Sequence, residues 1–583
     1  MLRTLHAIIL LNLAISFVLG KKDRASRDTI NFEETFSPTP DNLKRKLKKS
    51  VSSFLWGVAT AAYQIEGSTN SSGRGASIWD TFSHNPGKIA NGDTGDVADG
   101  SYDRVKEDVA LIKAMGLNAY RFSISWSRIL PRGSLADGGA NYEAIQHYNF
   151  LIDELIDAGI DPMVTLYHWD LPQALEDKYA GWISPLIEDD FRDYAEVCFT
   201  NFGDRVKKWI TLNEPWTYSL MGYGTGSFAP GRCSDRSRCA KGNSSTEPYI
   251  VAHNSLNAHA AAVELYRTKY QKRQGGVIGI TLNHDWAEPR RADSEADKAA
   301  AQRRNEFAMA WFLDPLTFGF YPQSMRRLVG ERLPHFSEGK RRRLTGSYDF
   351  IGLNHYSSKY YSEPLQDGSG GLGMKGQEGD WGRDQHNVES KYSEFGLLIG
   401  QQGASPWLNK VPWGLYKVLK WNTKRYTVAG KPPPVLYVTE NGCDVPGEST
   451  LPLPLALQDS FRIDYHRDYL AAMAEALDEG VDVRGYFAWS LLDNFEWADG
   501  YSFRFGLHYV DYSDQNLPRY PKSSAKWYAS YVANHSQSFD TGRGVGSGVG
   551  KAAATAAAVA SSPLSFLVNA LQFSSDVVFT SNL

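Results

Sequence analysis

A single (β/α)₈ barrel with long loops is the fold the sequence predicts, and three observations predict it. Eight short apolar runs recur along the chain, each closing on a polar or aromatic residue. Segments with helical spacing of apolar residues lie between them. From residue 54 to about 534 the composition is even and no long linker breaks it. Alternating apolar strands and amphipathic helices imply a parallel sheet covered by helices, and eight such units in one domain close into a barrel.

The elements follow in chain order. Arg3, the apolar stretch 8–19 and Val18-Leu-Gly20 read as a signal peptide over residues 1–20. The stretch is too short for a membrane span, so none is expected in the mature chain. Residues 21–53 read as a polar, flexible segment carrying the solvated basic run Lys44-Arg-Lys-Leu-Lys-Lys49. The strand runs are 54–66, 119–126, 162–168, 209–214, 277–283, 350–356, 436–440 and 483–490. Helical patterns occupy 103–115, 142–158, 189–202, 249–270, 296–317 and 465–477. A doubly wound open sheet is the competing layout, but no Gly-rich phosphate fingerprint follows the first strand. Residues 535–583 are rich in Gly, Ala, Ser and Val and read as a low-complexity, disordered tail.

Composition narrows the partners. Net charge is −4 without a long basic block, which argues against nucleic acid. Aromatic residues make up 13%, a supply of flat faces on which sugar rings stack. Three sequons, at Asn70, Asn243 and Asn534, agree with a glycosylated secretory protein, extracellular or vacuolar. Cys233 and Cys239 lie six apart in a Gly/Ser/Arg-rich loop, a spacing that suits a small disulfide, and no nearby His makes them a zinc site. Cys198 and Cys443 read as packing residues.

The strand ends carry the chemistry. In a barrel they converge on one rim. Here they present Gln64 and Glu66, Arg121, His168 and Trp169, Asn213 and Glu214, Asn283, Asn354 and Tyr356, Glu440, and Trp489. Glu214 and Glu440 each end a buried strand, and two carboxyls facing one pocket are what cleavage of a glycoside needs. Arg121 and Tyr356 are a cation and a phenol able to keep Glu440 ionised, which suits a nucleophile. Glu214, between Asn213 and Pro215 and near Trp209 and Trp216, is expected in a drier setting that keeps a carboxyl protonated, which suits an acid. Two carboxyls complete this chemistry, so neither metal nor organic cofactor is expected.

With those residues stands a set of motifs: Tyr63-Gln-Ile-Glu-Gly67, Ser77-Ile-Trp-Asp80, Tyr120-Arg-Phe-Ser-Ile-Ser-Trp-Ser-Arg128, His168-Trp-Asp-Leu-Pro172, Thr211-Leu-Asn-Glu-Pro215, Thr439-Glu-Asn-Gly442 and Trp489-Ser-Leu-Leu-Asp-Asn-Phe-Glu-Trp497. In this order the chain resembles the glycoside hydrolase family 1 β-glucosidases of plant secretory type. The resemblance implies a retaining glycosidase domain over 54–534, with Glu214 as acid/base and Glu440 as nucleophile. It implies that Gln64, His168, Asn213, Glu496 and Trp497 bond the sugar hydroxyls, that Trp489 lies under the ring, and that Tyr356 serves both sugar and nucleophile. Trp407 stands where the family stacks the aglycone, with Met221 and Phe228 nearby, and Ala498 replaces an aromatic found in some members. The Cys233/Cys239 loop looks like the loop disulfide of the plant-type members. The expected substrate is a small β-glucoside or oligosaccharide. A transglucosidase of the same fold and an inactive glycoside-binding homologue are the competing readings.

Overall fold

The computed structural model describes residues 54–364 and 380–535. The expected signal peptide, the 21–53 segment and the tail beyond residue 535 lie outside the described residues.

Eight parallel strands close into a barrel in chain order: β1 (Leu55–Ala59), β2 (Ala119–Ser123), β3 (Asp161–Tyr167), β4 (Lys208–Asn213), β5 (Val277–Asn283), β6 (Phe350–Asn354), β7 (Leu436–Asn441) and β8 (Val483–Trp489). β8 pairs with β1 and completes the circle, Leu55 against Gly485 through Ala59 against Trp489. The strands are buried along nearly their whole length, which is why they read as apolar runs rather than alternating ones. Each expected strand run overlaps a barrel strand. The first was drawn too long: after Ala59 the chain turns into a short helix, Ala62–Ile65.

The crossover helices follow the predicted apolar spacing. In Tyr142–Asp157 the buried residues Ala144, Ile145, Tyr148, Ile152 and Leu155 form one stripe, and the Asn141 side chain caps the first turn through Glu143 N–H. Burying each large side chain of that stripe contributes about 1.5–3 kcal/mol. The predicted 296–317 helix is interrupted by a π-turn at Glu306–Ala310. One crossover was not predicted. Pro412–Tyr426 joins β6 to β7 and buries Gly414, Leu415, Val418, Leu419, Asn422 and Tyr426. Its buried face mixes a glycine and an amide with apolar residues, so its period is faint in the sequence. Three short strands, Trp286–Pro289, Ser358–Ser362 and Val388–Ser390, form a small sheet that was also not predicted.

Two irregularities shape the rim. The register of β7 slips between Val438 and Glu440 against β6, and again between Val438 and Asn441 against β8. Such a bulge re-aims a side chain, here at Glu440. Gly442 follows because nothing larger fits: a Cβ there would lie 1.8 Å from the Trp489 carbonyl oxygen. Among the described residues no helix is long and apolar enough to cross a membrane.

Candidate active site

Arg121 holds the centre of the rim. It points inward from β2, almost fully buried, and its Nη1 donates to Glu440 Oε1 at 2.5 Å and to the Thr439 carbonyl at 3.1 Å. Its Nη2 donates to Asn213 Oδ1 at 2.6 Å and its Nε to Thr165 Oγ1 at 3.2 Å. The other Glu440 oxygen accepts from the Tyr356 hydroxyl at 2.6 Å. Both oxygens of Glu440 are thus held by charge-assisted or phenolic donors. Burial pushes its carboxyl up, and Arg121 and Tyr356 pull it back, leaving it raised from its ordinary value.

Glu214 is built differently. Its partners are neutral: Thr217 Oγ1 donates to Oε2 at 2.6 Å and Asn354 Nδ2 to Oε1 at 2.7 Å. Burial first, and then the charge of Glu440, push its carboxyl up to about 8. Two carboxyls close enough to repel cannot both ionise cheaply, so the one without a cation keeps the proton. Of the two indoles flanking it in sequence, Trp209 packs against Phe199, and Trp216 against Trp381 and Arg304. Glu214 sits in the left-handed region, φ 45°, ψ 61°, immediately before the helix Pro215–Tyr223. For a side-chain residue that conformation costs on the order of 1–3 kcal/mol. Its N–H bond to the Thr281 carbonyl, 2.9 Å, helps hold it there.

Asn213 fixes a tautomer. Its Oδ1 accepts from Arg121 and from Asn354, so its Nδ2 is the donor to His168 Nε2 at 3.0 Å. His168 therefore carries its proton on Nδ1. Burial and the Arg121 charge hold its pKa well below the ordinary value, so the ring is neutral. Nδ1 is buried and has no hydrogen-bond partner among the described residues, and neither has Gln64 Oε1. One donor and one acceptor are therefore open to a polar ligand. Gln64 Nε2 is held by Asn494 Oδ1 at 2.8 Å and the Phe495 carbonyl at 2.9 Å, and it reaches Glu496 Oε2 at 3.5 Å. Glu496 is pushed well above its ordinary pKa by burial and by Asp499, Asp444, Glu440 and Glu214. Aromatic rings wall this side: His168 stacks on Trp489 at 5.9 Å and on Trp497 at 5.9 Å, and Trp497 contacts Trp169 at 4.4 Å.

A family model described as glycosyl hydrolase family 1 matches residues 47–537. The chain belongs to glycosyl hydrolase family 1. Among the family 1 relatives, rice (Oryza sativa subsp. japonica) beta-glucosidase 24 is 51% identical over 484 residues, covering 82% of this chain and 93% of its own. Raucaffricine-O-beta-D-glucosidase of Rauvolfia serpentina is 49% identical over 494 residues, covering 81% and 89%. Among solved structures, a rice Os3BGlu6 β-glucosidase mutant in a covalent complex with Glc from GA4GE superposes with TM-score 0.77 at 48% identity, over 82% of this chain and 98% of that one. A family 1 β-glucosidase of the fungus Humicola insolens in complex with glucose gives TM-score 0.78, also at 48% identity and with the same coverage. This chain is a family 1 β-glucosidase by these likenesses.

The remaining expected residues are also located. Trp407 is 42% exposed, edge-on to Tyr356 at 5.9 Å and parallel to Phe505 at 6.3 Å. Phe228 packs on Trp79 and Trp169, and Met221 Sδ accepts from the Thr225 and Ser227 hydroxyls. Ala498 lies in the turn Trp497–Asp499. Cys233 and Cys239 are disulfide-bonded, and Cys198 and Cys443 are free and buried. Asn70, Asn243 and Asn534 are exposed. Glu66 does not join the site: it pairs with Arg128 at 2.6 Å and accepts from Tyr148 at 2.7 Å, behind the first strand. The sequence reading missed Thr217 and gave Asn354 no role. Asn354 was visible as a polar strand end, whereas Thr217 carries no signal beyond its place one turn after Glu214.

Asn354→Ala removes a donor that lowers the Glu214 pKa. The Glu214 carboxyl is expected to titrate at higher pH, with about a tenfold loss of activity because Asn213 and Glu214 lose their shared anchor. A pH–rate profile of the variant checks both.

Proposed function

We propose that Glu440 is the nucleophile and Glu214 the acid/base of a retaining hydrolysis of terminal β-glucosyl residues. The observation that supports it most is the contrast between the two carboxyls. One is bound by a guanidinium and a phenol, the other only by a hydroxyl and an amide. A Glu440 oxygen attacks the anomeric carbon while the bond to the glycosidic oxygen breaks, and the Glu214 proton passes to that oxygen. Glu214, now ionised, takes a proton from water. The water oxygen bonds the anomeric carbon, and the ester bond to Glu440 breaks. The covalent glucose complex of the rice relative is in keeping with this order of events.

In this reading the glucose hydroxyls meet Gln64, His168, Asn213, Glu496 and Trp497, with the ring over Trp489. The open His168 Nδ1–H and Gln64 Oε1 supply one donor and one acceptor. Trp407 is the platform for the aglycone. The intact partners of both carboxyls argue against an inactive homologue. Partition between water and an added alcohol separates hydrolysis from transfer. A panel of β-glycosides varied in sugar and aglycone, scored by kcat/KM, tests the assignment: β-glucosides are expected to lead, and a chain indifferent to the sugar would contradict it. Passage through the secretory pathway is supported by the disulfide and the exposed sequons.

The pH dependence follows from the signs. Glu214 must hold its proton for the first step, so kcat/KM falls as pH rises through about 8. Glu440 must be ionised, and its pKa is raised, so the acid limb lies above the range of an ordinary carboxylate. A bell-shaped profile with both limbs checks this, and Glu214→Gln should remove the alkaline limb.

A further inference from the structure

Trp407 has little packing of its own to hold it in place. It is 42% exposed, and its two ring neighbours lie at 5.9 and 6.3 Å. Its place is set by the backbone that carries it. That backbone is a tight loop closed by Gly403 N–H on the Leu408 carbonyl at 3.1 Å and Leu408 N–H on the Ser405 carbonyl at 3.2 Å. A carboxylate grips the loop from below. Asp444 Oδ1 accepts from Ala404 N–H at 3.0 Å, and Oδ2 accepts from Ser405 N–H at 2.8 Å and from the Ser405 hydroxyl. Asp444 is fully buried and lies four residues beyond Glu440, where the chain leaves β7. The fit is close: a Cβ on Gly403 would come within 2.5 Å of Asp444 Oδ1 and 2.8 Å of Leu408 Cδ2. The loop is pinned on its other side by Lys359 Nζ, which donates to the Trp407 carbonyl at 2.6 Å.

We propose that Asp444 is a positioning residue for aglycone recognition, tying the Trp407 platform to the strand that carries Glu440. The inference rests on the reading of Trp407 as that platform. Trp407 meets Tyr356 edge-on and Tyr356 donates to Glu440, so a closed path runs from the nucleophile through Asp444 and the loop back to the nucleophile. Asparagine cannot replace the carboxylate here. Its single acceptor oxygen leaves an N–H₂ facing one of the loop's N–H groups, donor against donor. The loop would then lose its register.

The test is a double-mutant cycle on an aryl β-glucoside, with inhibition by glucose as a second readout. Asp444→Asn and Trp407→Ala are each expected to lower kcat/KM about tenfold, through KM rather than kcat, since a platform displaced by an ångström orients the aglycone poorly. The double variant should be no worse than Trp407→Ala alone, because both changes remove the same contact. Inhibition by glucose should change less than about twofold in Gly403→Ala, which leaves in place the Asp444 charge that bears on Glu496. Gly403→Ala pushes the same loop without altering the Asp444 charge and should reproduce the loss even where Asp444→Asn fails to fold. Losses that multiply in the double variant, or glucose inhibition weakened tenfold in Gly403→Ala, would overturn the proposal. A Trp407→Ala variant with unchanged kcat/KM would instead sink the platform reading, and this proposal with it.

Discussion

Glu440→Ala is expected to lower turnover of aryl β-glucosides by on the order of 10⁴-fold or more, the loss seen when a nucleophile that forms the covalent bond is removed. Truncation leaves a space in front of Arg121 and Tyr356, whose donors at 2.5 and 2.6 Å then face no carboxylate. Azide is a small anion suited to that space. It should attack the anomeric carbon directly while the phenolate leaves, restoring turnover with a single inversion. The product is then the α-glucosyl azide, read by proton NMR. Near-normal turnover without azide would remove Glu440 from the mechanism.

Glu214→Ala separates the two steps. A leaving group such as dinitrophenolate needs no proton, so glycosylation persists. Deglycosylation has lost its base and slows by about 10²–10⁴-fold. A burst of one phenolate per active site followed by slow turnover is expected, with a lowered KM as the intermediate accumulates. Azide now attacks the glycosyl-enzyme and yields the β-glucosyl azide. The two variants thus give opposite anomers from one reagent. The same anomer from both would mean that the roles have been misassigned.

The barrel and both carboxyls were legible because each depends on local sequence. A strand buried on both faces is a run of apolar residues, and a carboxyl at its end has no structural reason to be there. Arg121 was legible for the same reason, as a charge inside an otherwise apolar strand, and Tyr356 as a phenol just beyond the end of one. What the sequence hid is tertiary. The Trp209 indole was expected beside Glu214, yet it faces Phe199 on the outer layer, because side chains along a strand alternate. Asp444 reads as one acid in a loop until its partners, Ala404 and Ser405, are brought to it by the fold. The helix Pro412–Tyr426 buries Gly414 and Asn422 among its apolar residues, which blurs the period that would have announced it. Glu66 had the polarity and place of a rim residue but turns away to Arg128.

The central claim, a covalent bond to Glu440, is open to one direct measurement. In a 2-deoxy-2-fluoro-β-glucoside the fluorine slows both steps by withdrawing electrons from the anomeric carbon, while an activated leaving group restores the first step only, so the intermediate accumulates. Peptide mass spectrometry of the inactivated enzyme should find one fluoroglucosyl group, on Glu440. A label on any other residue, or complete inactivation without a label, would contradict the account.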